Sequence, residues 1–180
     1  MLGRNHTLTT IAGTLLLSVG AEKLCQYQPE IGGRLLNVVT PDERGMFALG
    51  LLVLGAILPD IDSPNSMVVK RLGIYLPFKH RTWTHALYIP LLLVLISIAV
   101  PIVRFLTIGY LFHLWEDSFS RSGIDWLYPK KNKKHIALYK TNTISEYITA
   151  YGFIAVCAVV VYIAINKGYS APLLWLKHIV

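Results

Sequence analysis

Charged side chains are scarce in this chain, 15% of its 180 residues against 54% hydrophobic, and the mean hydropathy is +0.51. That balance excludes an ordinary soluble domain of this length and makes the bilayer the expected solvent. Cysteine is almost missing: Cys25 and Cys157 stand far apart and Cys157 lies inside an apolar run, which excludes a disulfide framework and a thiolate metal site. A basic helix or an aromatic-interleaved basic patch is also lacking, so no nucleic-acid partner is expected. The net charge of +7 gathers instead in two segments between apolar runs, which suits a cytoplasmic leaflet or anionic head groups.

What is present is a succession of apolar runs, predicting an all-α integral membrane bundle of about five transmembrane helices in one domain over residues 1–180. The first run, TLTTIAGTLLLSVG at residues 7–20, follows Arg4 and His6 and resembles a secretory signal, with Val19 and Ala21 as a weak cleavage site. It is read as a retained first helix, because the rest of the chain is membrane-like as well. Residues 21–44 mix acids and bases with glycine and proline and predict a loop outside the hydrocarbon. Residues 46–58 form the second run; Pro59 is expected to end it and leave Asp60 and Asp62 on a non-helical turn. Helices are further expected over residues 85–103, with a turn at Pro101 and Arg104, over 105–119 and over 146–165. The remainder, 166–180, predicts a short tail with a tryptophan-containing end.

Orientation follows from lysine and arginine. If the first helix leaves the cytoplasm, the inside segments hold Arg4, the bases between Lys70 and Arg81, and those from Arg121 to Lys140, which is 11 of the 17; the outside holds 6. The positive-inside rule then places the N-terminus in the cytoplasm and the C-terminus outside. The helix ends carrying Asp60, His85 and Asp117 converge on the cytoplasmic face under this topology. The cluster KKNKK at Lys130 to Lys134 reads as a topology signal and lipid-surface contact. Trp115, Trp126 and Tyr128 read as interfacial anchors.

Ionisable groups beside an apolar span are expensive and usually have a functional partner. His113 and Asp117 stand four apart in GYLFHLWEDSF and share one helix face, a spacing that lets one metal ion bridge them. His80 and His85 bracket HRTWTH, where Thr82 and Thr84 are placed to hydrogen-bond the rings and fix their tautomers. Asp60 and Asp62 in PDIDSPN could be a helix cap and a turn residue, but two acids directly beyond a terminated span more plausibly share a cation. Three carboxylates and three imidazoles at one membrane face suit a divalent ion such as zinc, manganese or iron better than calcium, with zinc and manganese foremost and one or two ions accommodated. His6 would be a fourth imidazole at the same face. Glu116, about 100° around the helix from Asp117, is left out of the ligand set.

The ordered combination of His6, GAILPDIDSP, KHRTWTH, GYLFHLWEDSFSRSG and WLYP resembles the YdjM-like family, LexA-regulated inner-membrane proteins of the SOS response described as metal-dependent hydrolases. The likeness covers roughly residues 1–165. It implies a bacterial inner-membrane protein with metal ligands at Asp60, Asp62, His80, His85, His113 and Asp117, together with His6.

A metal so held lowers the pKa of bound water from about 16 to about 7. The leading expectation is therefore hydrolysis of a membrane-associated ester, a phospholipid or other lipid phosphate first, with Asp62, Arg81 and Asp117 as catalytic residues. Arg81 between the two histidines offers a fork of donors for phosphate or a developing oxyanion, and equally reads as a topology charge. Two rival classes are a transporter that uses the same histidines and acids as an ion path, and a membrane protein in which the metal clamps loops structurally.

Overall fold

The computed structural model describes residues 1–42, 44–130 and 136–179. Every regular element among the described residues is a helix, and their only extended pairing is an isolated bridge between Ser120 and Tyr139. Most of KKNKK, residues 131–134, lies outside the described residues.

The first helix, α1 (Gly3–Tyr27), is longer than its apolar run, because nothing from Ala21 to Tyr27 breaks a helix. Residues 29–39, expected to be loop, form α2 (Pro29–Val39). Pro29 starts that helix at a position where its missing N–H costs nothing. A Cβ on Gly32 would stand 2.3 Å from the Cys25 backbone nitrogen, so glycine is what lets α2 fold back against α1. Ile31, Leu35 and Val38 of α2 remain exposed.

α3 (Gly45–Ile57) does not stop dead at Pro59. It tightens into a 3-10 helix over Leu58–Asp62 in which Pro59 occupies the first turn, where no N–H is needed. Asp60 and Asp62 are therefore helical, a correction to the expected open turn. The short α4 (Met67–Leu72) is capped by the Ser66 hydroxyl, which accepts from the Val69 amide, and closes on Gly73 in the left-handed region at φ 68°. A 3-10 turn, Trp83–His85, precedes α5 (Tyr88–Ala99), and α6 (Val103–Ser118) returns beyond Pro101. α7 (Ile144–Asn166) is followed by α8 (Ala171–Leu176).

Among the described residues three segments are long and apolar enough to cross a membrane: Gly3–Tyr27, Gly45–Asp62 and Ile144–Asn166. At about 1.5 Å per residue, α5 and α6 reach only some 18 and 24 Å of the roughly 30 Å hydrocarbon core. The helices alternate in direction, so the start of α1, the ends of α3 and α6 and the starts of α5 and α7 share one end of the bundle. There Glu146 of α7 is fully buried and accepts from the amide of Leu2 and the side chain of Asn5.

The C-terminal tail belongs to the opposite end of the core. Trp175 of α8 is 1% exposed, packs edge-on against Phe105 and donates to the Val39 carbonyl at 2.8 Å. Both Glu22 oxygens of α1 accept from the amides of Ser170 and Ala171.

Candidate metal centre

α3 and α6 form the frame. A Cβ on Gly55 would meet the Leu106 carbonyl oxygen at 2.2 Å and one on Gly109 the Leu52 carbonyl oxygen at 2.1 Å, so the two backbones touch where glycine faces glycine. This brings Asp60, just past α3, against His113 and Asp117 on the last turns of α6. His85 arrives on the 3-10 turn, which the Tyr110 hydroxyl pins to α6 by donating to the Thr84 carbonyl. His6 enters from α1, its ring stacked on His113 with centroids 3.8 Å apart.

Each of the four rings is tied from behind through Nδ1. His113 Nδ1 lies 2.7 Å from the Ala56 carbonyl, His80 Nδ1 2.7 Å from Asp62 Oδ1, His6 Nδ1 2.5 Å from Glu116 Oε2, and His85 Nδ1 3.0 Å from the Thr84 hydroxyl. A carbonyl can only accept, so the proton of neutral His113 is on Nδ1. The Thr84 hydroxyl spends its own proton on Asp62 Oδ2 at 2.5 Å, so it too accepts, and His85 is protonated on Nδ1. His85 Nε2 and His113 Nε2 then turn bare lone pairs inward.

The inward atoms crowd together without hydrogen to share. His85 Nε2 and His113 Nε2 are 3.3 Å apart. Asp60 Oδ1 lies 3.6 Å from His113 Nε2, 3.7 Å from His85 Nε2 and 3.9 Å from His80 Nε2. Asp117 Oδ2 lies 3.6 Å from His85 Nε2 and 3.9 Å from His113 Nε2, and Asp117 Oδ1 is 3.5 Å from His6 Nε2. Asp117 already pairs with the Met1 ammonium at 2.8 Å and with the Arg81 guanidinium at 2.9 Å, whereas the facing nitrogens of His85 and His113 and the Asp60 carboxylate beside them would be relieved by a cation among them. Two donors on one tetrahedral ion at about 2.0–2.1 Å sit roughly 3.3–3.4 Å apart, close to these spacings. Among the described residues three groups meet the requirement: His6, Asp60 and His113; Asp60, His80 and His85; His85, His113 and Asp117. His6 Nε2 is buried and has no hydrogen-bond partner among the described residues, as a ligand atom would.

The sequence-predicted residues thus come together, with two different placements. Asp62 faces away from the cluster: its oxygens take His80 Nδ1, the Arg81 amide and Thr84, and it belongs to none of the three groups. Arg81 is 9% exposed and its guanidinium is already engaged, 2.9 Å from Asp117 Oδ2 and 2.8 Å from the Ser120 hydroxyl. Its left-handed backbone, φ 64°, costs about 1 kcal/mol or more and lets the amide reach Asp62 while the side chain turns to Asp117. Thr84 ties down a ring as expected, whereas the Thr82 hydroxyl donates to the Lys79 carbonyl.

Glu116 is the residue behind the cluster that the sequence does not single out. Turned away from Asp117, it meets α1 and holds His6, and the signal for it was the buried helix face opposite the cluster. His80 is the one ring at the surface, its side chain 41% exposed. Burial disfavours its proton, but the hydrogen bond to Asp62 and the charges of Asp62 and Asp60 outweigh this and raise its pKa.

Partners behind a ligand ring usually set metal affinity by about 10–100-fold. Asp62→Ala is accordingly expected to weaken zinc or manganese binding by about that factor without unfolding the chain, measured by competition with a chelator. Unchanged affinity would mean that Asp62 supports neither ring.

An all-helical membrane protein with a buried histidine and aspartate cluster able to hold metal is the class that this fold and site define. The chain belongs to the YdjM inner membrane protein family, whose sequence model matches residues 1–176. It is also similar to Bacillus subtilis (strain 168) "Uncharacterized protein YvsG", 33% identical over 108 residues that cover 54% of this chain and 68% of that one. No solved structure matches it.

Proposed function

We propose that the protein is a metal-dependent hydrolase of the bacterial inner membrane, with its N-terminus and donor cluster at the cytoplasmic face, acting on an ester of a membrane lipid. The observation that carries the reading is the pair of bare nitrogens, His85 Nε2 and His113 Nε2, 3.3 Å apart between Asp60 and Asp117. His6, Asp60, His80, His85, His113 and Asp117 would hold one or two zinc or manganese ions. Such an ion supplies hydroxide at neutral pH by acidifying bound water.

The chain's own groups do the rest. The Thr84 hydroxyl and the Ala56 carbonyl keep the protons of His85 and His113 on Nδ1, so their Nε2 atoms stay donors, while Asp62 and Glu116 hold the rings of His80 and His6. Asp60, whose side chain is 13% exposed, lies where the cluster meets a cavity of about 600 Å³, with His80 and Arg81 beside it. Water and ester would enter there. Arg81 sets a fixed positive charge next to Asp117, placed to steady that carboxylate and to favour charge developing on a phosphoryl oxygen. The cytoplasmic placement rests on the lysines and arginines gathered at this end, Lys70, Arg71, Lys79 and Arg81 among them.

The test is hydrolysis of phospholipid vesicles by metal-loaded protein. Wild type is expected to release product, and Asp117→Ala and His85→Ala to be slower by about 10³-fold, the several kcal/mol a catalytic ion supplies. Protein that holds no metal under any loading condition would overturn the reading. Ion flux in vesicles that His113→Ala abolishes, with no hydrolysis by wild type, would replace it with transport.

A further inference from the structure

The cavity over the cluster is basic where a cation route would be acidic. Arg4, Lys70 and Arg71 stand around its rim and Asp60, His80 and Arg81 at its floor. None of the three rim cations has a carboxylate within ion-pair distance among the described residues; Arg4 donates only to the Tyr151 hydroxyl, at 2.8 Å. Unpaired cations at the mouth of a buried donor site draw an anion toward it.

A second depression of about 360 Å³ adjoins the first and shares Arg4, Met67 and Arg71 with it. It runs between α1 and α3 over Leu8, Val53, Leu54 and Ile57, inside two of the segments long enough to cross the membrane. Its floor includes Gly50, where a Cβ would meet nothing within 4 Å. From Ile57 back to Gly50 the trough descends about 10 Å along α3. A polar, cationic chamber that opens at its edge into an apolar trough has the two-part chemistry of an amphiphile with an anionic head.

We propose that Arg4, Lys70, Arg71 and the α1–α3 groove bind one anionic phospholipid, its phosphate at the arginines and one acyl chain along Leu8, Val53 and Leu54. The lipid reaches the cavity sideways from the bilayer. Charge complementarity at the rim and the continuity of groove and cavity select this occupant. That the bound lipid is the substrate rests on the hydrolase reading, but the binding itself does not.

The experiment measures lipid retention by the full-length, metal-loaded protein in detergent, using native mass spectrometry with dioleoyl phosphatidic acid against dioleoyl phosphatidylcholine. Wild type is expected to prefer the anionic lipid by about tenfold or more, since each basic side chain near a lipid surface contributes roughly 1 kcal/mol. Gly50→Trp fills the trough and is expected to lower retention of both lipids about tenfold with metal content unchanged. The double variant Arg4→Gln, Arg71→Gln is expected to erase the preference between head groups and leave the trough open.

Equal retention of the two lipids by wild type, undiminished retention by Gly50→Trp at full metal content, or a surviving preference in the double variant would each overturn the lipid site. Lipid binding as expected without hydrolysis by metal-loaded protein would defeat the hydrolase reading alone. Hydrolysis of a soluble phosphate ester without any lipid preference would defeat the lipid site alone.

Discussion

His113→Ala is expected to strip the protein of its metal while leaving the helices in place. His113 Nε2 belongs to two of the three donor groups and lies among His6, His85, Asp60 and Asp117, and only the group of Asp60, His80 and His85 does without it. Affinity should fall by more than the about 100-fold that marks the loss of a mere supporting partner. The substitution also leaves the Ala56 carbonyl without its donor, a cost of about 1–3 kcal/mol that a bundle of this size should survive. Metal per chain by mass spectrometry and thermal melting by circular dichroism read the two effects separately. Full metal content in the variant would show that the cluster is not the binding site. His80→Ala should lose less, because that ring sits exposed at the cluster's edge and belongs to one group only.

Gly109→Leu is expected to destroy the same binding without touching a ligand. The new side chain would begin 2.1 Å from the Leu52 carbonyl oxygen and 2.9 Å from the Ala56 nitrogen, both backbone atoms that cannot swing aside. α3 and α6 must part, and with them the carbonyl that holds His113 Nδ1 and the carboxylate of Asp60. Overpacking of this kind costs about 1–3 kcal/mol and more where only backbone can yield. Metal content and melting temperature should fall together. Gly152→Ala, where a Cβ meets nothing within 4 Å, is the matched control and should be neutral or stabilise by roughly 0.5–1 kcal/mol. Normal metal binding in Gly109→Leu would mean that the helix crossing does not set the site.

Much of the site could be read before the structure, because its carriers are short motifs with a strong physical signature. HxxxD on an apolar helix, two histidines bracketing HRTWTH and a DxD pair at a span's end all place ionisable groups where hydrocarbon would penalise them. What the motifs could not say is which way each side chain turns. DxD puts two acids side by side, yet the 3-10 winding after Pro59 sends Asp60 inward and Asp62 behind His80 and Thr84. Glu116 was discounted by its angle from Asp117, an argument sound for a single helix but silent about α1 packing against the other face.

The sequence of Pro29–Val39 reads as loop because Glu30, Arg34 and the glycines resemble one; the close seat of Gly32 on Cys25 lets it pack as helix against α1. Residues 166–180 read as a short tail because the partners of Trp175, Phe105 and the Val39 carbonyl, are distant in sequence.

His6 is held by Glu116, 110 residues further along, and the donors between them come from three other stretches of chain. During synthesis the first imidazole therefore leaves the ribosome long before its partners, and the cage exists only once α6 is inserted. An ion held by these residues would therefore load late, after assembly in the bilayer, from whichever compartment the 600 Å³ cavity opens onto. A change in the free divalent ions of that compartment would then change which ion these residues could hold, without any change in the protein.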